Sequence, residues 1–464
     1  MSRPSAPKDQ GLILTDENLT RNIIRLSGPA VVENLLYTVV WFADTLLIGW
    51  LRHPASLAAV SLGGMFVFIA ESIFSALTTS AIAMVARAWG AKNYDLAKRI
   101  AGQGIALSAL AAVTVATLMW PNAEGLMRLM GVEPEVVRLG SLYMRIVLLS
   151  SIFGFPLSVV NGVMRAAGDT KTPMYVTAVM NAWNVLAAYS LIFGVGPLPA
   201  LGIRGAAIGT ASARIVGGAL AMWIVFTGRR LVHVEPRRLL QWSGPIAAEM
   251  IRLALPAAGE NLILRAGSTA FTRIVSSLGT DSIAAHEIAV TVESLSFMPG
   301  FGLSVAATTM VGQSLGAGKP DLAEKSIRTS LRYALIVMNG IALAFALFGR
   351  PLAAIFGATP QVVDLAGMAV RLAALEQASM AVQMVLGGSL RGAGDTRSPM
   401  YVTFIGTIFF RIITVYLFTV VFGWGLAGVW LGTAVDWGGR AALMYWMFRR
   451  GRWKTIRVLG SHSA

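Results

Sequence analysis

Residues 165–177 read RAAGDTKTPMYVT and residues 391–403 read RGAGDTRSPMYVT, identical at ten of thirteen positions and 226 residues apart. The likeness extends beyond this stretch. At offsets of 226 or 227, GPAVVENLL (28–36) matches LPAAGENLI (255–263), and WGAKNYDLAKR (89–99) matches LGAGKPDLAEK (315–325). Matches strung along a chain at nearly one offset mean that its second half is a structural copy of its first. The fold then follows from reading one half and counting how often it crosses its surroundings.

Those surroundings are lipid. Of 464 residues, 55% are hydrophobic and 13% charged, with 48 glycines and a mean hydropathy of +0.66, far too apolar for a water-soluble domain. A helix needs about 20 apolar residues to cross a hydrocarbon core of about 30 Å. Runs of that kind, broken by Gly, Pro or charge, lie near 25–50, 58–86, 101–120, 138–164, 173–195, 204–226, 251–278, 283–312, 328–348, 362–390, 400–422 and 426–447. The expected fold is an all-α integral membrane protein of twelve transmembrane helices. Six crossings per half return the chain to its starting side, so the halves are parallel repeats about an axis along the membrane normal. By chain order they divide into an N-lobe (1–227), a linker (228–250) and a C-lobe (251–464) with a basic tail.

Charge orients them. The even-numbered loops and both tails carry 24 Lys and Arg, whereas the odd-numbered loops carry five: Arg52, Arg128, Arg138, Arg204 and Arg350. Positive segments resist translocation, which predicts a multi-pass protein of the cytoplasmic membrane with both termini in the cytoplasm. The net charge of +15 is thus a topology signal, and nucleic acid is not an expected partner. The first twenty residues lack the order of a signal peptide, so the first membrane helix is expected to persist. With no cysteine and four scattered histidines, neither a disulfide nor a thiolate or histidine metal cluster is expected. No concentrated His, Cys or Ser constellation and no HExxH or GxxxxGK[ST] motif is present, which argues against a membrane enzyme and against direct ATP drive.

In the repeated stretch, Gly168 and Gly394 stand where a helix C-cap is expected. Thr172-Pro173 and Ser398-Pro399 read as the N-cap and first residue of the next helix. Asp169 and Asp395, among cytoplasmic cations, are expected to order the loop and pair with Arg165 and Arg391 rather than to bind substrate.

Charges inside the spans are costly, about 2.5–3.5 kcal/mol each on insertion scales, and each is a candidate for function. Asp44 leads, with no base within a turn of its own helix. Glu33, Tyr37, Trp41 and Asp44 are spaced four, four and three apart, a stripe about 16 Å long on one helix face. A desolvated carboxylate there can carry a proton, or ligate Na⁺ if amide and hydroxyl oxygens gather round it. Tyr37 and Trp41 share its face and are the candidate substrate-cavity residues. Asn181, Asn184 and Ala188 likewise share a face of the fifth span. In the second half Glu260 repeats Glu33, but Phe271 replaces Asp44. Five acids there (Glu260, Glu287, Glu293, Glu376, Asp436) match five arginines (Arg265, Arg273, Arg371, Arg411, Arg440), which suggests Glu–Arg pairs serving as structural locks or as gates. The 21 methionines and many aromatics suit an adaptable cavity, though lipid contact and interfacial anchoring also account for most of them.

The doubled GDT motif, the Pro-x-x-x-Glu-Asn opening of helices 1 and 7, the Asp-Thr pair in WFADTLLIGWL and the 6+6 layout together resemble the multidrug and toxic compound extrusion (MATE) family over essentially the whole chain. The resemblance implies a V-shaped pair of six-helix lobes in a monomer without cofactor. It also implies export of amphipathic or cationic compounds coupled to entry of H⁺ or Na⁺. It places the chain nearer the DinF-like branch than the NorM-like members. DinF-like proteins often carry an Asp six residues before the glycine closing helix 5; here that place is Ala188. The resemblance then leaves Asp44 with the neutral ligands Asn161, Asn184 and Thr210, each of which could equally be a helix-packing hydrogen bond. NorM-like members use acids in helices 7 and 10, where this chain reads Leu264 and Met380. Glu260 and Glu376 lie about a turn away and, with Glu33, are secondary candidates or purely structural groups. A related branch that flips lipid-linked precursors, using internal arginines to hold phosphate, gives the alternative function.

Overall fold

The computed structural model describes residues 12, 14–228, 230–239 and 241–459. Among them every long element is a helix: α1 (Leu19–Gly49), α2 (Pro54–Gly90), α3 (Tyr94–Arg128), α4 (Pro134–Ala167), α5 (Lys171–Phe193), α6 (Ile203–Thr227), α7 (Gly244–Ser276), α8 (Thr280–Gly316), α9 (Pro320–Ala354), α10 (Pro360–Gly392), α11 (Arg397–Val421) and α12 (Gly425–Arg449). Each expected span falls on one of these helices. Ten are long and apolar enough to cross a membrane; the other two, α7 and α12, carry Glu260, Arg265 and Arg273, and Asp436 and Arg440, within them.

The helices overrun the apolar runs. α3, expected over 101–120, starts at Tyr94, where the Asn93 side chain caps the Leu96 amide at 3.1 Å. It also continues through Pro121, and α7 begins at Gly244 rather than 251. Hydropathy marks only the stretch in hydrocarbon; a helix ends where its caps are, and membrane helices tolerate internal proline.

The repeated stretch closes α4 and opens α5, then closes α10 and opens α11, but its polar contacts differ from those expected. Gly168 and Gly394 adopt φ of +98° and +87°, and the amides of Gly168 and Asp169 reach back to the carbonyls of Arg165 and Met164, each at 2.9 Å. The cap at the next helix is the aspartate, not the hydroxyl residue before proline. Asp169 accepts from the Thr172 amide at 3.0 Å and the Thr172 hydroxyl at 2.6 Å, and Asp395 does the same for Ser398. A carboxylate three residues ahead of the amide it caps has the better reach and the charge favoured at a helix N-terminus. Asp169 and Asp395 are therefore engaged locally, and Arg165 and Arg391 pair elsewhere.

By contacts the described chain forms two compact units, one of Leu12 and Val32–Ala254, the other of 14–31 and 255–459. The first turns of α1 thus belong to the second unit, and the first turns of α7 to the first. In the first unit α4 is central, packing on α2, α3 and α6, while α5 pairs with α6. In the second, its repeat counterpart α10 packs on α8, α9 and α12, and α11 lies against α12. The α5/α6 and α11/α12 pairs approach closely at Gly209 and Gly432. A Cβ there would stand 2.8 Å from Ala188 and 2.6 Å from Val415.

One asymmetry has a clear geometry. Thr177 and Thr403 correspond at an offset of 226, but Ala188 and Val415, which face the matching glycines, correspond at 227. Between them α11 winds as a π-helix over Gly406–Ile412, which takes up the extra residue.

Candidate functional site

The first residue of each repeated stretch reaches the glutamate of the Pro-x-x-x-Glu-Asn motif, and in the second unit the last residue reaches it too. In the second unit Glu260 of α7 accepts from Arg391 of α10 at 2.6 Å and from Thr403 of α11 at 3.0 Å. In the first, Arg165 of α4 reaches both oxygens of Glu33 of α1 at 2.8 and 2.9 Å, and Thr177 of α5 meets the Tyr37 hydroxyl one turn further along, at 3.5 Å. Glu33 and Glu260 are 3% and 4% exposed. Two of the secondary acidic candidates are thus held by arginine, Glu260 tying three helices together and Glu33 two.

Above the Glu33 tie in α1, one turn and a half from its end, lies Asp44. Its carboxyl is half-buried, with the Asn184 amide of α5 as hydrogen-bonding neighbour and Arg214 of α6 as the nearby cation. Arg214 in turn donates to Glu71 of α2 at 2.5 Å. Tyr143 of α4 neighbours Thr210 of α6 and lies beside Asp44, Glu71 and Arg214. Five helices of one unit therefore bring together Asp44, Glu71, Tyr143, Asn184, Thr210 and Arg214. The Asn184 Oδ1 is buried and has no hydrogen-bond partner, and neither has Asn181 Oδ1 one turn below, whose amide nitrogen is fixed on the Leu36 carbonyl at 2.7 Å. Carboxylate, amide and hydroxyl oxygens form a hard donor set, fit for a proton or a small monovalent cation.

Asn184 and Thr210 thus join Asp44, whereas Asn161 is buried in α4 and is not among the groups that act on Asp44 or Tyr143. Along the α1 stripe, Tyr37 is 42% and Trp41 70% exposed, so its middle is open while its ends are engaged. Glu71, Tyr143 and Arg214 are not among the residues singled out from sequence. The rule that marked Asp44, a charge inside an apolar span, applies equally to Glu71 in FIAESIFS and Arg214 in GTASARIVGG.

The second unit is built differently. Arg411 of α11 lies 5.7 Å from the ring of Phe271, standing against the residue that replaces Asp44 much as Asn184 stands against Asp44 itself. Asp436 holds Arg411 and Arg440 at 2.6 Å each, and is fully buried. The expectation that every acid here has an arginine fails. Glu293 and Glu376 are 7% and 1% exposed and neighbour each other, with Thr433 beside Glu376, and Glu287 is exposed.

Comparison with known proteins gives a consistent picture. The MatE family model matches the chain twice, over residues 29–190 and 256–417, once in each half. A relative from Thermotoga maritima, described as a probable multidrug resistance protein NorM, is 30% identical over 442 residues, 95% of this chain and 94% of its own length. A Bacillus subtilis protein described as the uncharacterized transporter YisQ is 23% identical over 94% of this chain and 95% of its own. Among solved structures, a Pyrococcus furiosus transporter of the MOP superfamily superposes with a TM-score of 0.88 at 23% identity, covering 97% of this chain and all of its own. Another, described as the outward-facing conformation of a multidrug resistance MATE family transporter, gives 0.89 at 22%, with the same coverage.

Proposed function

Because the chain belongs to the MatE family of membrane transporters, we propose that it is a secondary antiporter that exports amphipathic or cationic compounds against entry of H⁺ or Na⁺. The observation that carries this reading is the Asp44 cluster, a membrane-embedded carboxylate without an ion-pair partner of its own among the described residues, beside an amide oxygen that has no hydrogen-bond partner. The multidrug resistance description of the Thermotoga maritima relative supports the substrate class. The DinF-like affinity rests on this N-lobe carboxylate and on Leu264 and Met380 standing where NorM-like members carry acids, and the NorM name of that relative does not support it.

In this mechanism the ion and the guanidinium compete for one carboxylate. With no ion bound, Asp44 draws Arg214, which has donors enough to serve Asp44 and Glu71 together. An ion bound by Asp44, with Asn184 and Thr210 as further ligands, removes that attraction and leaves Arg214 to Glu71. The two arrangements pull α1, α2 and α6 into different packings, and ion and substrate couple by favouring different ones. Tyr37 and Trp41, on the open middle of the stripe, face the substrate. The cation-rich loops and both termini lie in the cytoplasm of a monomer in the inner membrane.

The decisive experiment is substrate efflux from proteoliposomes under an imposed pH gradient and, separately, a Na⁺ gradient. Asp44→Asn is expected to abolish gradient-driven efflux while the protein remains inserted and folded. Wild-type efflux rates in that variant would remove Asp44 from the mechanism.

A further inference from the structure

A cavity of about 540 Å³ opens in the first unit where α3 ends and α4 and α6 begin. Arg128, Arg138, Arg145 and Arg204 line it together with Ser141 and a single acid, Glu124. Three of the five cations of the odd-numbered loops therefore converge on one place. Cations at this end oppose the orientation signal of the rest of the chain, so topology does not account for their concentration.

Two of the four arginines are already matched. Arg128 pairs with Glu124 at 2.5 Å, and Arg138 with Glu135 at 3.7 Å. Arg145 and Arg204 have no carboxylate partner among the described residues. Arg145 is instead positioned by Trp120: its Nε donates to the Trp120 carbonyl at 3.2 Å, and its guanidinium lies 5.5 Å from the indole ring. Tryptophan concentrates at the level of lipid headgroups, and arginine anchored there keeps its charged end among them. A volume of this size falls in the about 300–1,000 Å³ range of ligand sites, and guanidinium forks match phosphate oxygens two at a time.

We propose that this cavity is an anion site that takes a phosphate group at the membrane surface, with Arg145 and Arg204 as its principal ligands. The phosphate is supplied by the headgroup of an anionic phospholipid or by free inorganic phosphate, and one experiment separates the two. The full-length protein, purified in detergent, is titrated with phosphatidylglycerol, with phosphatidylcholine and with inorganic phosphate, and adducts are counted by native mass spectrometry. The expected result is a phosphatidylglycerol adduct that the Arg145→Gln/Arg204→Gln variant binds about tenfold more weakly, as loss of charge-assisted hydrogen bonds implies. Displacement of that adduct by inorganic phosphate, or a phosphate adduct lost in the same variant, supports the site with free phosphate as its ligand. Arg52→Gln/Arg350→Gln removes the same charge elsewhere at this end and is expected to leave binding intact. Should the double variant not fold, Arg204→Gln alone, at an exposed position, carries the test. Binding unchanged in the pocket variant, or equally reduced in the Arg52/Arg350 control, overturns the proposal.

Discussion

Replacing Arg165 by alanine strips the guanidinium from a carboxylate that cannot reach water. Glu33 is 3% exposed and both its oxygens accept from Arg165, at 2.8 and 2.9 Å. Truncating one member of a buried pair costs about 3–5 kcal/mol, because the other is left buried and uncompensated. The Arg165 side chain is itself 18% exposed, so water can enter part of the space it leaves, and the lower end, about 3 kcal/mol, is the expected cost. For a unit of this size about 1 kcal/mol corresponds to about 2–4 °C, giving a fall of about 6–12 °C in melting temperature. Thermal unfolding of the purified protein, followed by tryptophan fluorescence at one scan rate, measures it. Replacing both partners together, as Glu33→Gln/Arg165→Met, removes the stranded charge and is expected to recover more than half of the loss. If Arg165→Ala melts within about 2 °C of the parent, or the double variant is no better than the single one, the tie between α1 and α4 does not bear on stability as argued here.

The cap prediction is smaller. Asp169→Ala and Asp395→Ala each remove the acceptor for an amide and a hydroxyl, and each is expected to lower stability by about 0.5–2 kcal/mol without affecting the twin site, read as separate melting shifts. Gly209→Leu drives a side chain into the α5 backbone beside Ala188 and is expected to cost at least about 1–3 kcal/mol, whereas Gly64→Ala, with open space at its Cβ, is expected to be neutral in the same melting assay. Since the chain has no cysteine, single cysteines report sidedness directly. Leu198→Cys, between α5 and α6, is expected to label in intact cells with a membrane-impermeant maleimide, and Trp242→Cys, between α6 and α7, only after lysis. The opposite pattern would invert the proposed orientation.

Much of the architecture is legible in the sequence because the signals for it are redundant. Twelve apolar runs, a two-copy repeat and the alternating loop charge are each spread over many residues, and an error in one does not alter the count. The glycine C-caps are legible because a left-handed residue at a helix end is a local demand. Partner choice is not local. Asp169 is four residues from Arg165 and was expected to be its partner, but Glu33, 132 positions away, meets it across a helix interface. The same holds for Glu71 and Arg214, 143 positions apart, each of which looks incidental without the other. Counting acids against arginines in the second half gave a balanced sum and a wrong pairing, since composition cannot show that Glu293 faces Glu376 while Asp436 takes two arginines. Of the residues named beforehand around Asp44, Asn184 and Thr210 share its cluster and Asn161 does not. A buried asparagine satisfies the same sequence criteria whichever neighbour it faces.

The first of the two π-helical stretches in α11, Gly406–Ile412, marks where the two halves fall out of register. A residue inserted into an α-helix rotates everything beyond it by about 100° and advances it by about 1.5 Å, which would have taken Val415 and Phe418 out of mesh with Gly432 and Gly428. Held within Gly406–Ile412, the insertion leaves those contacts as they are in the first half. Arg411 rides on that stretch. Its counterpart at an offset of 227 is Asn184, so one skeleton holds an amide at that position in one copy and a guanidinium in the other, while the glycine contacts of Val415 and Phe418 match those of the first half. The grip of α11 on α12 and the chemistry of its membrane-buried face are thus set by separate stretches of one helix.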